Sequence, residues 1–350
     1  MTGVATRTGV RDLRSRRGRR RGAVIGVLIA LVLAIAVASL CVGAYPLGPA
    51  DVARVLAGGG EGRENFVVLT LRAPRLVLGM LTAVCFAVAG AIFQTLLRNP
   101  LASPDVIGVS GGASFAAVFA ILILGLGGLA VSLFAFAGAL LVAAAIYLLS
   151  ARGGLNGFRF VLIGIGVAFM VNASLNFMIT RADVREARDA LVWLVGSLGS
   201  ARWSEIALVA ASVVVLLPLI AVFAPQLRML QLGDDTAAAL GVRVARSRLV
   251  LLVLAVALVA VGTAAVGPIA FVAFVSAPIA RRLVPGAGLA LIPSALVGIV
   301  IVTLSDFAAQ HLLGDVHVPV GVITGVVGAP YLLWLLTTTT TNHTTNRSQS

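Results

Sequence analysis

Runs of about twenty apolar residues, separated by short polar stretches, dominate the chain. Clear runs fall at about 23–45, 75–97, 129–149, 160–180, 203–224, 249–267 and 318–336. Each is long enough to cross, as a helix, a hydrocarbon layer about 30 Å thick. Three further apolar segments, at about 105–124, 270–284 and 289–310, are interrupted by Gly or Pro. Such breaks are tolerated inside a membrane only where neighbouring helices satisfy the freed backbone groups. With them the pattern predicts an all-α, polytopic membrane protein of about ten transmembrane helices. It divides the chain into a disordered basic cytoplasmic arm over 1–22, a membrane domain over 23–336 and a polar cytoplasmic tail over 337–350.

Composition closes off other classes. The 350 residues are 60% hydrophobic and 11% charged, against roughly a quarter charged in a soluble domain. All 26 basic residues are arginine, so the chain cannot supply the lysine of a phosphate-binding P-loop. Any ATP hydrolysis that drives it belongs to another subunit. The net charge of +13 is concentrated before the first apolar run, with eight arginines between Arg7 and Arg21. That placement predicts a cytoplasmic anchor against anionic membrane lipid. A nucleic-acid partner is not expected, because the arm offers no aromatic side chain to stack bases.

An even number of crossings puts both termini on one side. Ten crossings then place 18 of the 26 arginines inside and 8 outside, as the positive-inside rule demands. The apolar stretch Ala23–Ala44 is too long for a cleaved export signal, and bulky Leu40 before Cys41 argues against lipoprotein processing. Cys41 and Cys85 read as small core residues.

Candidate chemistry is sparse. No zinc spacing, nucleophile–base set or carboxylate pair is present, so no catalytic residue, metal ligand or cofactor site is expected. Asp306 is the one carboxylate inside an apolar run, with His311 a turn beyond. They read as a helix-end polar pair at the headgroups or as a relay. Gln94, and Asn172 with Asn176 on one face of the fifth span, bond between helices or line an aqueous pathway. Gly321, Gly325 and Gly328 make a small-residue face suited to close helix packing. In the polar loop 225–248, Asp234 can cap a short helix over Asp235–Leu240 that stops at Gly241.

The densest signal is Arg72-Ala-Pro-Arg75, then Gly90-Ala-Ile-Phe-Gln94, then Arg98-Asn-Pro-Leu-Ala-Ser-Pro-Asp-Val-Ile-Gly108. Later come Leu232-Gly233-Asp234 through Leu240-Gly241, Gly267-Pro-Ile-Ala-Phe271, Arg281-Arg282, and Pro319-Val-Gly321 through Gly328-Ala-Pro330. In this order the motifs resemble the permease family of iron-siderophore and cobalamin ABC importers, over about residues 23–336. The resemblance implies a bacterial cytoplasmic-membrane permease subunit without its own ATPase. Its partners would be a second permease, two ATPase subunits and an extracytoplasmic substrate-binding protein.

Residue by residue, the resemblance implies docking of the binding protein at Arg72 and Arg75, with Gln310 standing where some members carry a further arginine. It implies ATPase coupling through Leu232, Gly233, Asp234, Asp235, Leu240 and Gly241. An inner gate would form at Asn99, Leu101, Asn156 and Gly157, and Gln94, Asn172 and Asn176 would line the pathway. Departures at Phe271–Pro278 and His317, together with Ser103–Asp105 and Ala329–Trp334, are similar to the ferric enterobactin-type branch. They imply a heterodimer carrying a ferric siderophore. The rival reading of the same composition is a secondary carrier or channel acting without an ATPase.

Overall fold

The computed structural model describes residues 3–105, 107–150, 157–284, 286, 288–312 and 318–345. Its elements are helical throughout: α1 Gly3–Cys41, α2 Pro49–Leu56, α3 Gly62–Asn65, a π-helical stretch Phe66–Arg72, α4 Ala73–Leu96, α5 Val109–Leu122, α6 Leu129–Ser150 and α7 Gly157–Arg181. They continue as α8 Val184–Val195, α9 Trp203–Leu230, α10 Asp234–Ala239, α11 Val244–Val266, α12 Val272–Leu283, α13 Leu291–His311 and α14 Val320–Thr345.

Among the described residues, seven helical segments are long and apolar enough to cross a membrane. The pairing at the end of the chain reverses the expectation. Leu291–His311, expected to be an interrupted segment, is a full-length span, whereas the apolar part of α14, Val320–Leu335, is one of the short ones. Pro293 explains the first: it lies in the opening turn of α13, where a missing N–H leaves no helical bond unmade. The basic arm also differs from expectation, because it is helical from Gly3 and continuous with the first span. Arginine is a good helix former, and no proline interrupts the segment.

Contacts at the helix ends show how the chain alternates. The N-terminal half of α1 packs through Leu28 on Ala280, Ala290 and Val297. At its other end Leu40 accepts a hydrogen bond from Arg72. The start of α14 lies against Val195 at Gly321, and its far end brings Trp334 to 4.3 Å from the Arg282 guanidinium. These contacts set the start of α1 and the end of α14 at one end of the bundle, and the end of α1 and the start of α14 at the other. The first face carries the start of α1, the loop 97–108, α10 and the end of α14. The other carries residues 42–74, α8, the end of α13 and the start of α14.

Helix α4 is the axis of the bundle. It packs on α9, α11, α12 and α13, and 72% of its membrane-crossing stretch is buried, against 22% for α9. Small residues permit this. A Cβ on Gly90 would sit 1.7 Å from the Ala273 carbonyl oxygen, so the α4–α12 crossing needs glycine. The same holds at Gly321, where a Cβ would meet the Val195 carbonyl oxygen at 1.7 Å. Gly325 has open space around it, so the glycine face of α14 is split between packing and exposure.

Candidate functional site

Polar side chains gather at the two ends of α4. At the first end the helix begins directly after the π-helical stretch, a local widening often found at functional positions. Arg72, its last residue, donates through Nη1 to the Leu40 carbonyl at 2.7 Å and through Nη2 to the Tyr45 carbonyl at 2.7 Å. It thus ties the end of α1 to the start of α4. Arg75, one turn further on, forms a forked pair with Asp306. Nε lies 3.0 Å from each carboxylate oxygen and Nη2 2.7 Å from Oδ1.

Gln310 adds a 2.7 Å bond from Nε2 to Asp306 Oδ2. Asp306 is therefore bound within the protein, and the expected headgroup role for it is replaced by this pair. Neighbouring His311 meets the Phe307 ring at 4.7 Å. Above the pair opens a cavity of about 750 Å³ lined in part by Arg72, Arg75, Arg188, Gln310 and His311. Among the described residues three arginines and no carboxylate border it, so the field of these residues favours anionic groups. The Arg72 and Arg75 guanidinium groups both line it, but each is already held by acceptors of the chain itself.

The opposite end of α4 is pinned twice. Gln94 is buried and donates to the Phe274 carbonyl at 2.8 Å, while its Oε1 accepts from Arg281 at 3.2 Å. Arg281 also donates to the Thr95 hydroxyl at 3.0 Å. Gln94 is thus a buried bond between α4 and α12, the interhelical alternative of the sequence reading, and Gly90 makes it possible. The glycine lets α12 approach until the amide reaches its backbone.

Beyond α4, Arg98 reaches across to Asp234 Oδ1 at 2.7 Å and to the Leu230 carbonyl at 3.0 Å. Arg248 donates to the same Oδ1 at 2.8 Å. Asp234 does not cap α10 either. Gly233, at φ 116°, holds the cap position, and Asp234 lies in the first turn. Gly241 does end the segment at φ 85°, in the left-handed region that glycine enters without strain. Leu232, Asp235 and Leu240 face outward, with the two leucines 64% and 56% exposed, while Ala237 is buried.

Asn99 and Leu101 sit in the adjoining loop, where Asn99 Oδ1 accepts from the Leu101 N–H at 2.8 Å. Gly157 opens α7. Asn156, its expected gate partner, and His317 lie outside the described residues. Asn172 and Asn176 are both exposed on α7. The Asn172 amide bonds only back to the Ala168 carbonyl at 2.9 Å, which leaves it unspent on neighbouring helices. Their neighbours Phe169, Met170 and Phe177 are also exposed, so this face of α7 is uncovered within the subunit.

The interactions that sequence reasoning missed join residues far apart in the chain. Arg75 and Asp306 are separated by 231 positions and Arg98 and Asp234 by 136. No local spacing signals either pair.

Comparison with known proteins gives the same picture from another side. The profile of the FecCD transport family matches residues 30–338. The ferric enterobactin transport system permease protein FepG of Escherichia coli (strain K12) is 38% identical over 294 residues, covering 84% of this chain and 89% of that protein. The achromobactin transport system permease protein CbrC of Dickeya dadantii (strain 3937) is 38% identical over 315 residues, or 89% and 90%. A solved structure described as an inward-facing conformation of a metal-chelate type ABC transporter superposes with a TM-score of 0.79 at 25% identity, covering 90% and 99%.

Proposed function

The chain belongs to the FecCD transport family, and from that membership we propose that it is the permease subunit of an ABC importer for a ferric siderophore, working with a second permease. The subunit performs no covalent chemistry. Separate ATPase subunits seat on the face that carries α10, and an extracytoplasmic binding protein seats on the face that carries Arg72 and Arg75. Both termini lie on the α10 face, which is cytoplasmic. ATP provides the free-energy difference between inward and outward states, since a solute shifts that equilibrium only by its own differential affinity.

One observation carries the reading. Leu232 and Leu240 stand exposed at the two ends of the short helix α10, with exposed Arg243 and Arg246 following. Apolar side chains presented from a charged loop outside the membrane-crossing segments suit a protein partner more than lipid or water. The uncovered face of α7, with Asn172 and Asn176 among large apolar side chains, supports a pathway formed against a second permease. Asn99, Leu101 and Gly157 border its inner mouth. The relatives carry ferric enterobactin and achromobactin by their names, and the arginine-lined cavity accords with such anionic cargo or with carboxylates of the binding protein.

The test is uptake of ferric enterobactin into proteoliposomes holding the permease pair, with and without the ATPase and ATP. Uptake is expected only with both. Uptake by the permeases alone would replace this reading with that of an independent carrier.

A further inference from the structure

Asp234 lies in the segment read above as the seat of the ATPase, yet its carboxylate is engaged by arginines of the chain itself. Oδ1 receives Arg98 at 2.7 Å and Arg248 at 2.8 Å. Arg98 in turn donates to the Leu230 carbonyl at the end of α9. Four pieces of backbone thus meet at one oxygen and one guanidinium: the end of α9, the first turn of α10, the start of α11 and the exit of α4. The outward side of the α10 segment is made by Asp235 within the helix and by Leu232 and Leu240 at its two ends, while Ala237 is buried.

Arg98 is unusual in its own backbone. Its φ is 49°, a left-handed conformation that costs a side-chain-bearing residue free energy and persists only when its surroundings hold it. Two backbone bonds of a Schellman-type helix stop hold it, from the Arg98 N–H to the Thr95 carbonyl and from the Asn99 N–H to the Gln94 carbonyl, and its guanidinium is fixed besides by two acceptors. The next residues form a compact loop. The Asn99 N–H bonds back to the Gln94 carbonyl, the Ala102 N–H to Asn99, and the Val109 N–H to the Pro104 carbonyl. A displacement applied at Arg98 therefore passes first to Asn99 and the turn it forms with Leu101 and Ala102. The pairing is also soft: Arg98 and Asp234 are 45% and 43% exposed, and ion pairs in such settings are weak enough to break and re-form.

We propose that Asp234 and Arg98 are a joint that carries the movement of α10 to the turn 98–102, with Arg248 keeping Asp234 aligned, and that Asp234 is a positioning residue and no contact of the ATPase. The proposal rests on the ATPase seat proposed above. It assigns residues of one short segment to different tasks: the outward side receives the partner, and Asp234 hands the motion on.

The experiment uses the full permease pair with its ATPase in nanodiscs, with a spin label on Leu101→Cys after Cys41→Ser and Cys85→Ala. The label's response to a non-hydrolysable ATP analogue is read beside co-purification of the ATPase and its rate of hydrolysis. In Asp234→Asn and in Arg98→Gln the response should fall by at least about fivefold, the lower end of ordinary coupling factors. Co-purification and hydrolysis should persist. The double variant should lose no more than either single one, since both act through one bond.

Loss of the ATPase from Asp234→Asn alone would make Asp234 a partner contact and overturn the joint. An undiminished label response, or single losses that multiply in the double variant, would overturn it as well. Failure of the otherwise unaltered Leu101→Cys complex to retain the ATPase would instead remove the underlying seat, and the joint with it.

Discussion

The two ends of α4 carry ionic clusters built from similar parts and set in different surroundings. Arg75 and Asp306 form a forked pair that is only 22% and 10% exposed, closed off by Gln310. Arg98, Asp234 and Arg248 share a single carboxylate oxygen, and two of the three are more than two-fifths exposed. Shielding from water makes the first pair dependent on both partners, because removing one strands a charge. The second cluster stands where solvent replaces any partner that leaves. The same chemistry is an anchor in one place and a releasable contact in the other.

The sharpest way to break this comparison is Asp306→Ala, which leaves Arg75 without its carboxylate. It should cost about 3–5 kcal/mol, read as loss of folded protein on thermal unfolding in detergent. Arg75→Met with Asp306→Leu should recover most of the loss. A loss no larger than that of a surface pair would show that water reaches the site.

Next in size is Gly90→Ala, which pushes a methyl into the Ala273 carbonyl and should cost about 1–3 kcal/mol as the α4–α12 crossing opens. Gly325→Ala, with open space around it, serves as the control and should be near neutral in the same assay.

Asp234→Asn comes third, at no more than about 1 kcal/mol of stability, although its effect on coupling is expected to be large. Equal destabilisation by Asp234→Asn and Asp306→Ala would erase the distinction between the two ends. Smallest is Asn176→Leu on the uncovered face of α7. It should leave thermal stability within about 0.5 kcal/mol while lowering uptake of ferric enterobactin. A marked loss of stability would mean that the amide bonds a neighbouring helix.

Much of this architecture can be read from the chain because lipid imposes a length on every crossing. Most of the long spans are visible as apolar runs, and Gly241 is visible as a stop because few other residues take its backbone angle. What stays hidden is the pairing of distant polar residues. Asp234 has the spacing of a helix cap, but a cap is a local bond and Arg98 competes for the carboxylate from 136 positions away. Gln94 looks like a pathway amide for the same reason. Its burial depends on Gly90 admitting α12, a contact formed only in the folded bundle. The α7 amides were easier to place, since a stripe at i, i+4 stays on one face whatever packs around it.

The burial of α4 has one more consequence. The rod that joins the Arg75 anchor to Arg98 is screened by α9, α11, α12 and α13, so acyl chains scarcely touch it. Stretching or thinning the bilayer would strain the lipid-facing rim first. Traffic between the two faces would then be insulated from changes in fatty-acid composition that the rim must absorb, and turnover should vary little across liposomes of different chain length.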